Sequence, residues 1–152
     1  MNDVLIKTIV LAEDDKDDHI FFSEALMQLD PSLKLTTVNN GNELMDLLQH
    51  YYPDILFLDL DMPYKNGLEC LREIRANERL KDLPVIVFSS TSRPVNIETA
   101  YEMGCDLFFI KPSGFNKLLE AVEKILAFDW KHRHKIKQQF ISGSTYKAFT
   151  ST

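Results

Sequence analysis

The sequence predicts an α/β fold, a parallel sheet whose five strands are joined by crossover helices. Five short apolar runs rich in β-branched and aromatic residues recur along the 152 residues, and stretches with apolar positions three and four apart separate them. Three of the runs are almost continuously apolar, as strands covered on both faces tend to be.

The first strand is read over Lys7 to Ala12, a β-rich run that ends abruptly at the acids Glu13, Asp14 and Asp15. Phe21, Phe22, Ala25, Leu26 and Leu29 then form one helical stripe. Asp15, Asp17 and Asp18 fall in its first turn, where caps and the helix dipole favour acids, so structure alone accounts for Asp17 and Asp18. Leu33 to Val38 is the second strand, and Leu44, Leu47 and Leu48 mark the second helix. The third strand, Asp54 to Leu58, stops at Asp59, and Leu68, Leu71 and Ile74 carry the third helix. Val85 to Phe88 is the fourth strand, followed by Ser89 and Ser90. A helix with a short apolar face follows over Pro94 to Met103, and Gly104 ends it. Leu107 to Ile110 is the fifth strand, in which Phe108 and Phe109 alternate between the two faces of the sheet. After Gly114, residues Phe115, Leu118, Leu119, Val122, Ile125 and Leu126 make the clearest amphipathic helix of the chain.

Composition narrows the function. The formal net charge is −6, which argues against generic nucleic-acid binding, and no apolar run approaches the ~20 residues that span a membrane. The N-terminus has no basic leader, and Cys70 and Cys105 lie too far apart for a CxxC metal motif, so a cytoplasmic chain with reduced thiols is expected. All 23 acids lie at or before Asp129 with twelve of the 17 basic residues, whereas the residues after Trp130 hold five basic residues and no acid. That basic, Ser/Thr-rich tail is read as a frayed or partner-dependent extension. Trp130 is a packing anchor, and the His132 and His134 pair lacks further metal ligands nearby in sequence.

In an open parallel sheet the functional crevice lies beyond the carboxyl ends of the strands. The residues that end these strands are Glu13, Asp14 and Asp15, then Asp59, then Ser89 and Ser90, then Lys111. Clustered carboxylates repel one another unless a cation sits among them, and Mg²⁺ is the natural hard ion for such oxygens. An ammonium and a hydroxyl beside them suit phosphoryl transfer, with a carboxylate as nucleophile. Asp59 is the best candidate because it ends the most apolar strand.

These positions resemble the receiver domain of bacterial two-component response regulators, from about Ile6 to Phe128. The resemblance rests on LAEDD at 11 to 15, FLDLDMPYKNGLECL at 57 to 71, LPVIVFSS at 83 to 90 and FFIKP at 108 to 112. It implies a flavodoxin-like doubly wound sheet of order 2-1-3-4-5 with five helices. Asp59 would be phosphorylated by a histidine kinase or phosphotransfer protein, with Mg²⁺ held by Glu13, Asp14, Asp59 and the backbone carbonyl of Asp61. Ser89 and Lys111 would contact phosphoryl oxygens, and Phe108 would be the aromatic switch. Pro112 would follow a cis bond, and Gly67 would allow a tight approach after the phosphoacceptor loop. Glu13 and Asp61 stand where many members have Asp and Asn, and Asp61 and Thr91 are the positions expected to tune phosphoryl lifetime.

The resemblance divides the chain into a receiver at 1–129 and a basic extension at 130–152 without an output domain. A stand-alone receiver that signals to a downstream protein through helix four, strand five and helix five is expected. The tail is a candidate for homodimer formation. Two alternatives share the residues. One is a pseudo-receiver that binds partners without being phosphorylated. The other is a phosphatase similar to the haloacid dehalogenases, prompted by the Asp59-Leu60-Asp61 spacing. Those enzymes usually carry that motif after the first strand, where this chain has its separate acidic pair.

Overall fold

Strands need partners for their backbone N–H and C=O groups, and the five apolar runs find them in one another. The computed structural model describes residues 6–150. It contains β1 (Thr8–Ala12), α1 (Lys16–Leu29), β2 (Lys34–Val38), α2 (Gly41–Leu48), β3 (Ile55–Leu58), α3 (Gly67–Ala76), β4 (Val85–Ser89), α4 (Pro94–Glu102), β5 (Leu107–Ile110) and α5 (Phe115–Leu126). The five strands form one parallel sheet in the order β2-β1-β3-β4-β5. Each predicted strand is present to within a residue at either end, and the fold is the predicted doubly wound one.

Side chains alternate between the two faces of each strand, which divides the core in two. Val10, Leu56, Leu58, Val87 and Phe108 pack with residues of α2, α3 and α4. Ile9, Leu11, Phe57, Phe88 and Phe109 pack with α1 and α5. Phe108 and Phe109 therefore face opposite sides, as their neighbouring positions require. Phe21 departs from its predicted stripe and is 48% exposed, because Phe22, Ala25 and Leu26 already fill the arc of α1 that meets the sheet.

Helices α1, α2 and α3 start where side chains satisfy their first N–H groups. Asp15 Oδ1 accepts from the N–H groups of Asp17 and Asp18 at 2.8 and 3.1 Å. Asn66 and Glu69 form a reciprocal capping box at the head of α3, both bonds 2.9 Å long. A Cβ on Gly67 would overlap the carbonyl oxygen of Asp59, so glycine is what lets α3 start directly against the loop that follows β3.

Two expectations are corrected. The tail is not frayed: a 3₁₀ turn over Trp130–His132 leads into α6 (Arg133–Gln138) and a hairpin of β6 (Ile141–Ser142) and β7 (Thr145–Tyr146), so the described residues form six α-helices instead of five. Trp130 donates to the Ile125 carbonyl at 2.8 Å, and Ile136 is buried in the α1/α5 side of the core. Phe149 then runs parallel beside β5, its N–H bonded to Phe108 O at 2.7 Å and its carbonyl accepting from Ile110 N–H at 3.2 Å. The physical reason is that β5 is an edge strand with unpaired backbone groups, and the scattered apolar residues of the tail cover it. The second correction is the Lys111–Pro112 bond, which is trans, as every described peptide bond is. Trans is the lower-energy isomer by about 0.5–1 kcal/mol for such a bond, and Lys111 reaches its partners from it. Cys70 and Cys105 are free and buried.

Candidate functional site

The sheet register fixes where the strand-end residues emerge. Ala12 stands opposite Leu58, so the next residue of each strand, Glu13 and Asp59, leaves the sheet side by side. The ladder continues one step into the site: Glu13 N–H bonds Val38 O at 3.0 Å, Asp59 N–H bonds Ala12 O at 2.9 Å, and Lys111 N–H bonds Ser89 O at 2.8 Å. The backbone of each of these residues is thereby held as firmly as the strand before it.

Carboxylate oxygens of Glu13, Asp14 and Asp59 all lie within 4.8 Å of one another. Glu13 and Asp59 are buried, whereas Asp14 is exposed. Glu13 Oε2 accepts from the Asp15 N–H at 3.1 Å. Its Oε1 stands 2.7 Å from Lys111 Nζ, an ion pair off the line of a hydrogen bond, and this buried oxygen has no hydrogen-bond partner. Three hard anionic oxygen donors, one of them lacking a directed donor, fit a small divalent cation such as Mg²⁺.

Electrostatics follow from burial and proximity. Burial pushes the Asp59 carboxyl up to about 7, the Lys111 charge pulls against that rise, and the Glu13 carboxylate adds to it. The Asp61 N–H donates to Asp59 Oδ1 at 3.2 Å. Burial opposes the charge of the Lys111 ammonium, yet its contacts with Glu13 and Asp18 outweigh burial and raise it above the ordinary lysine value. Lys111 Nζ also lies 5.1 Å from the centre of the Phe88 ring, within cation–π reach.

Ser89 is fully buried at the end of β4, and its Oγ accepts from Thr91 N–H at 3.2 Å. Phe108 is also fully buried, with its N–H bonded to the hydroxyl of Tyr101 on α4 at 3.1 Å. The Asp61 side chain is exposed and does not join the carboxylate cluster. His132 pairs with Asp129, and among the described residues the candidate metal-binding group is Glu13, Asp14 and Asp59 alone.

One site residue escaped sequence reasoning. Asp18, expected to serve only the first turn of α1, sends Oδ2 to Lys111 Nζ at 2.9 Å across 93 residues of chain. No local pattern announces such a pair. Only the convergence of the α1 N-terminus and the end of β5 on one crevice does. Beside it opens a cavity of about 320 Å³ lined by Asp18, Phe21, Phe88, Lys111, Phe115 and Leu118.

Comparison with known proteins agrees with this geometry. The family model described as the response regulator receiver domain matches residues 9–123. The response regulator Rcp1 of Synechocystis sp. is 30% identical over 129 residues, which is 80% of this chain and 88% of that protein. The probable transcriptional regulator ycf29 of Pyropia yezoensis is 30% identical over 123 residues, 80% of this chain, but the chain spans only 54% of that relative. Among solved structures, the phosphorylated cyanobacterial phytochrome response regulator RcpA superposes with a TM-score of 0.76 at 31% identity, covering 84% of this chain and 95% of that one. The Mn²⁺-bound form of Rcp1 gives 0.69 at 26% identity, over 93% and 99% of the two chains.

Proposed function

The chain belongs to the response regulator receiver domain family, and from that premise we propose that Asp59 is the carboxylate that takes up the phosphoryl group. Receiver domains are phosphoacceptor modules of two-component systems that bind a divalent metal in an acidic pocket and work with histidine kinases or phosphotransfer proteins. The observation that carries the assignment is the buried Asp59 carboxyl among Glu13, Asp14 and Lys111, held against its own charge.

A carboxylate oxygen of Asp59 forms the new O–P bond while the N–P bond of a phosphohistidine donor breaks and the imidazole leaves, taking up a proton. Glu13, Asp14, Asp59 and the Asp61 carbonyl would hold Mg²⁺, which when bound would supply charge neutralisation for the phosphoryl oxygens. Lys111 offers its ammonium to one of those oxygens, and Ser89 its hydroxyl to another. The Asp61 N–H keeps the Asp59 carboxyl oriented through Oδ1. The donor approaches along α1, where Phe21, 48% exposed, lines the same cavity as Lys111. Output runs through α4, β5 and α5 to a downstream protein, with Phe108 as the aromatic switch. Its link to Tyr101 on α4 supports that route. The chain is a phosphoacceptor and not a turnover enzyme.

The test is intact mass after incubation with Mg²⁺ and acetyl phosphate. One added phosphoryl, about 80 Da for a PO₃H unit, absent in Asp59→Ala and absent with chelator, is the expected result. No adduct in the wild type together with no binding of beryllofluoride overturns the assignment in favour of a pseudo-receiver. Steady phosphate release from simple phosphomonoesters overturns it in favour of a phosphatase.

A further inference from the structure

Asp18 occupies the third position of α1, where an acid ordinarily reaches back to the N–H of the capping residue. Here that N–H, from Asp15, is bonded by Glu13 Oε2 at 3.1 Å instead. The Asp18 backbone N–H is satisfied by Asp15 Oδ1 at 3.1 Å, so the first turn is capped without the Asp18 side chain. Its carboxylate spends its hydrogen bond on Lys111 Nζ at 2.9 Å. The usual reason for an acid at this position therefore does not account for it.

The ammonium has three N–H groups, and how they are shared decides what a phosphoryl group would find. Among the described residues its ion pairs are to Glu13 at 2.7 Å and Asp18 at 2.9 Å. Asp59 acts on it only through space. Asp18 lies on the cavity side of the ammonium, together with Phe21 and Phe115, and its side chain is 29% exposed. A phosphoryl group on Asp59 therefore meets an ammonium whose one directed hydrogen bond, to Asp18, holds it toward α1. Glu13 belongs to the metal-binding trio, whereas Asp18 does not.

We infer that Asp18 is a positioning residue that holds Lys111 toward α1 and competes with the phosphoryl group for it, so that the strength of this one contact sets how readily the site accepts and keeps a phosphoryl. The inference rests on the phosphoacceptor reading of Asp59. Asp18 touches neither the reacting carboxylate nor the metal ligands by any contact of its own. It acts through Lys111. Because the pair is partly exposed, its effect is modest, about threefold to tenfold in affinity.

The experiment is titration of the full chain with beryllofluoride at saturating Mg²⁺, for the wild type, Asp18→Asn and Asp17→Asn. Asparagine suits the third position of a capped helix nearly as well, so both variants are expected to fold, and urea unfolding checks this. Asp17 is exposed on the same turn, and its loss removes the same charge without touching Lys111. Asp18→Asn is expected to bind beryllofluoride about threefold to tenfold more tightly, with Asp17→Asn within about twofold of wild type. Asp18→Glu, which can restore the contact, is expected to return toward the wild-type affinity. Equal tightening in Asp17→Asn and Asp18→Asn would mean a diffuse charge effect and overturn the inference, as would unchanged or weaker binding in Asp18→Asn. A wild type that binds no beryllofluoride would overturn the phosphoacceptor reading itself, which separates the two failures.

Discussion

Asp59 carries a carboxyl that the fold surrounds with apolar strands and a second carboxylate, so ionising it costs free energy in the folded chain that it does not cost in the unfolded one. Its folded value is pushed to about 7, from an ordinary value near 4. An acid raised on folding imposes no penalty below its unfolded pKa. The penalty grows as pH climbs between the two values and is complete above the folded one. Asp59→Asn in the presence of chelator is therefore expected to match wild-type stability near pH 4 and exceed it by up to about 4 kcal/mol above pH 7. Urea unfolding across that pH range checks it, and a gain that is constant with pH would refute the electrostatic account. Asp59, Glu13, Asp14, Ser89 and Lys111 were all legible as strand-end residues, because chain order alone brings them to one edge of the sheet. Asp18 was not, because its partner is fixed by the approach of α1 to the β5–α5 connection, which no spacing along the chain encodes.

At the scale of elements, Tyr101 explains how α4, the helix with the weakest sequence pattern, is secured. Its hydroxyl accepts from the Phe108 N–H at 3.1 Å and donates to the Lys147 carbonyl at 2.8 Å, and its ring stacks on Tyr146. One side chain thus joins α4, β5 and the tail. The short apolar face read from the sequence is real, since Ile97, Ala100 and Tyr101 are the buried residues of α4, but its polar anchor depends on a segment that begins some thirty residues later. Tyr101→Phe keeps the ring and removes the hydroxyl, leaving a buried N–H on Phe108 without its acceptor. It should cost about 1–3 kcal/mol in urea unfolding. Amide exchange at Phe108 should quicken more than at Val87, its neighbour in the sheet. Loss of stability without that local change would assign the effect to packing instead. Helices α3 and α5, by contrast, were legible throughout, because their apolar residues follow the helical period without help from distant chain.

Across the whole molecule, the opposite signs of body and tail become an attachment. Asp106 is buried at the start of β5, where Arg75 reaches Oδ2 at 2.9 Å and Arg133 of the tail reaches Oδ1 at 2.5 Å, while Val85 N–H completes its shell at 2.9 Å. Arg133 also bonds Asp82 at 3.2 Å. Beyond this clamp, Ile136 enters the core and Phe149 packs edge-on against Phe109 and Phe128 while pairing with β5. The sequence showed the basic residues and the scattered aromatics, but their lack of period concealed that they follow the contour of a sheet edge. Removing residues 131–152 would withdraw one of the two arginines from a buried carboxylate and expose both the apolar seam and the unpaired backbone of β5. The shortened chain is expected to lose at least about 3 kcal/mol of stability and to self-associate through the bared strand. Thermal unfolding and light scattering on a sizing column would read the two effects. Arg133→Met separates them, because it loosens the clamp while leaving Phe149 on β5: lower stability with an unchanged mass in solution is its expected outcome. A shortened chain that kept both its stability and its size would mean that the tail rests on the body without holding it.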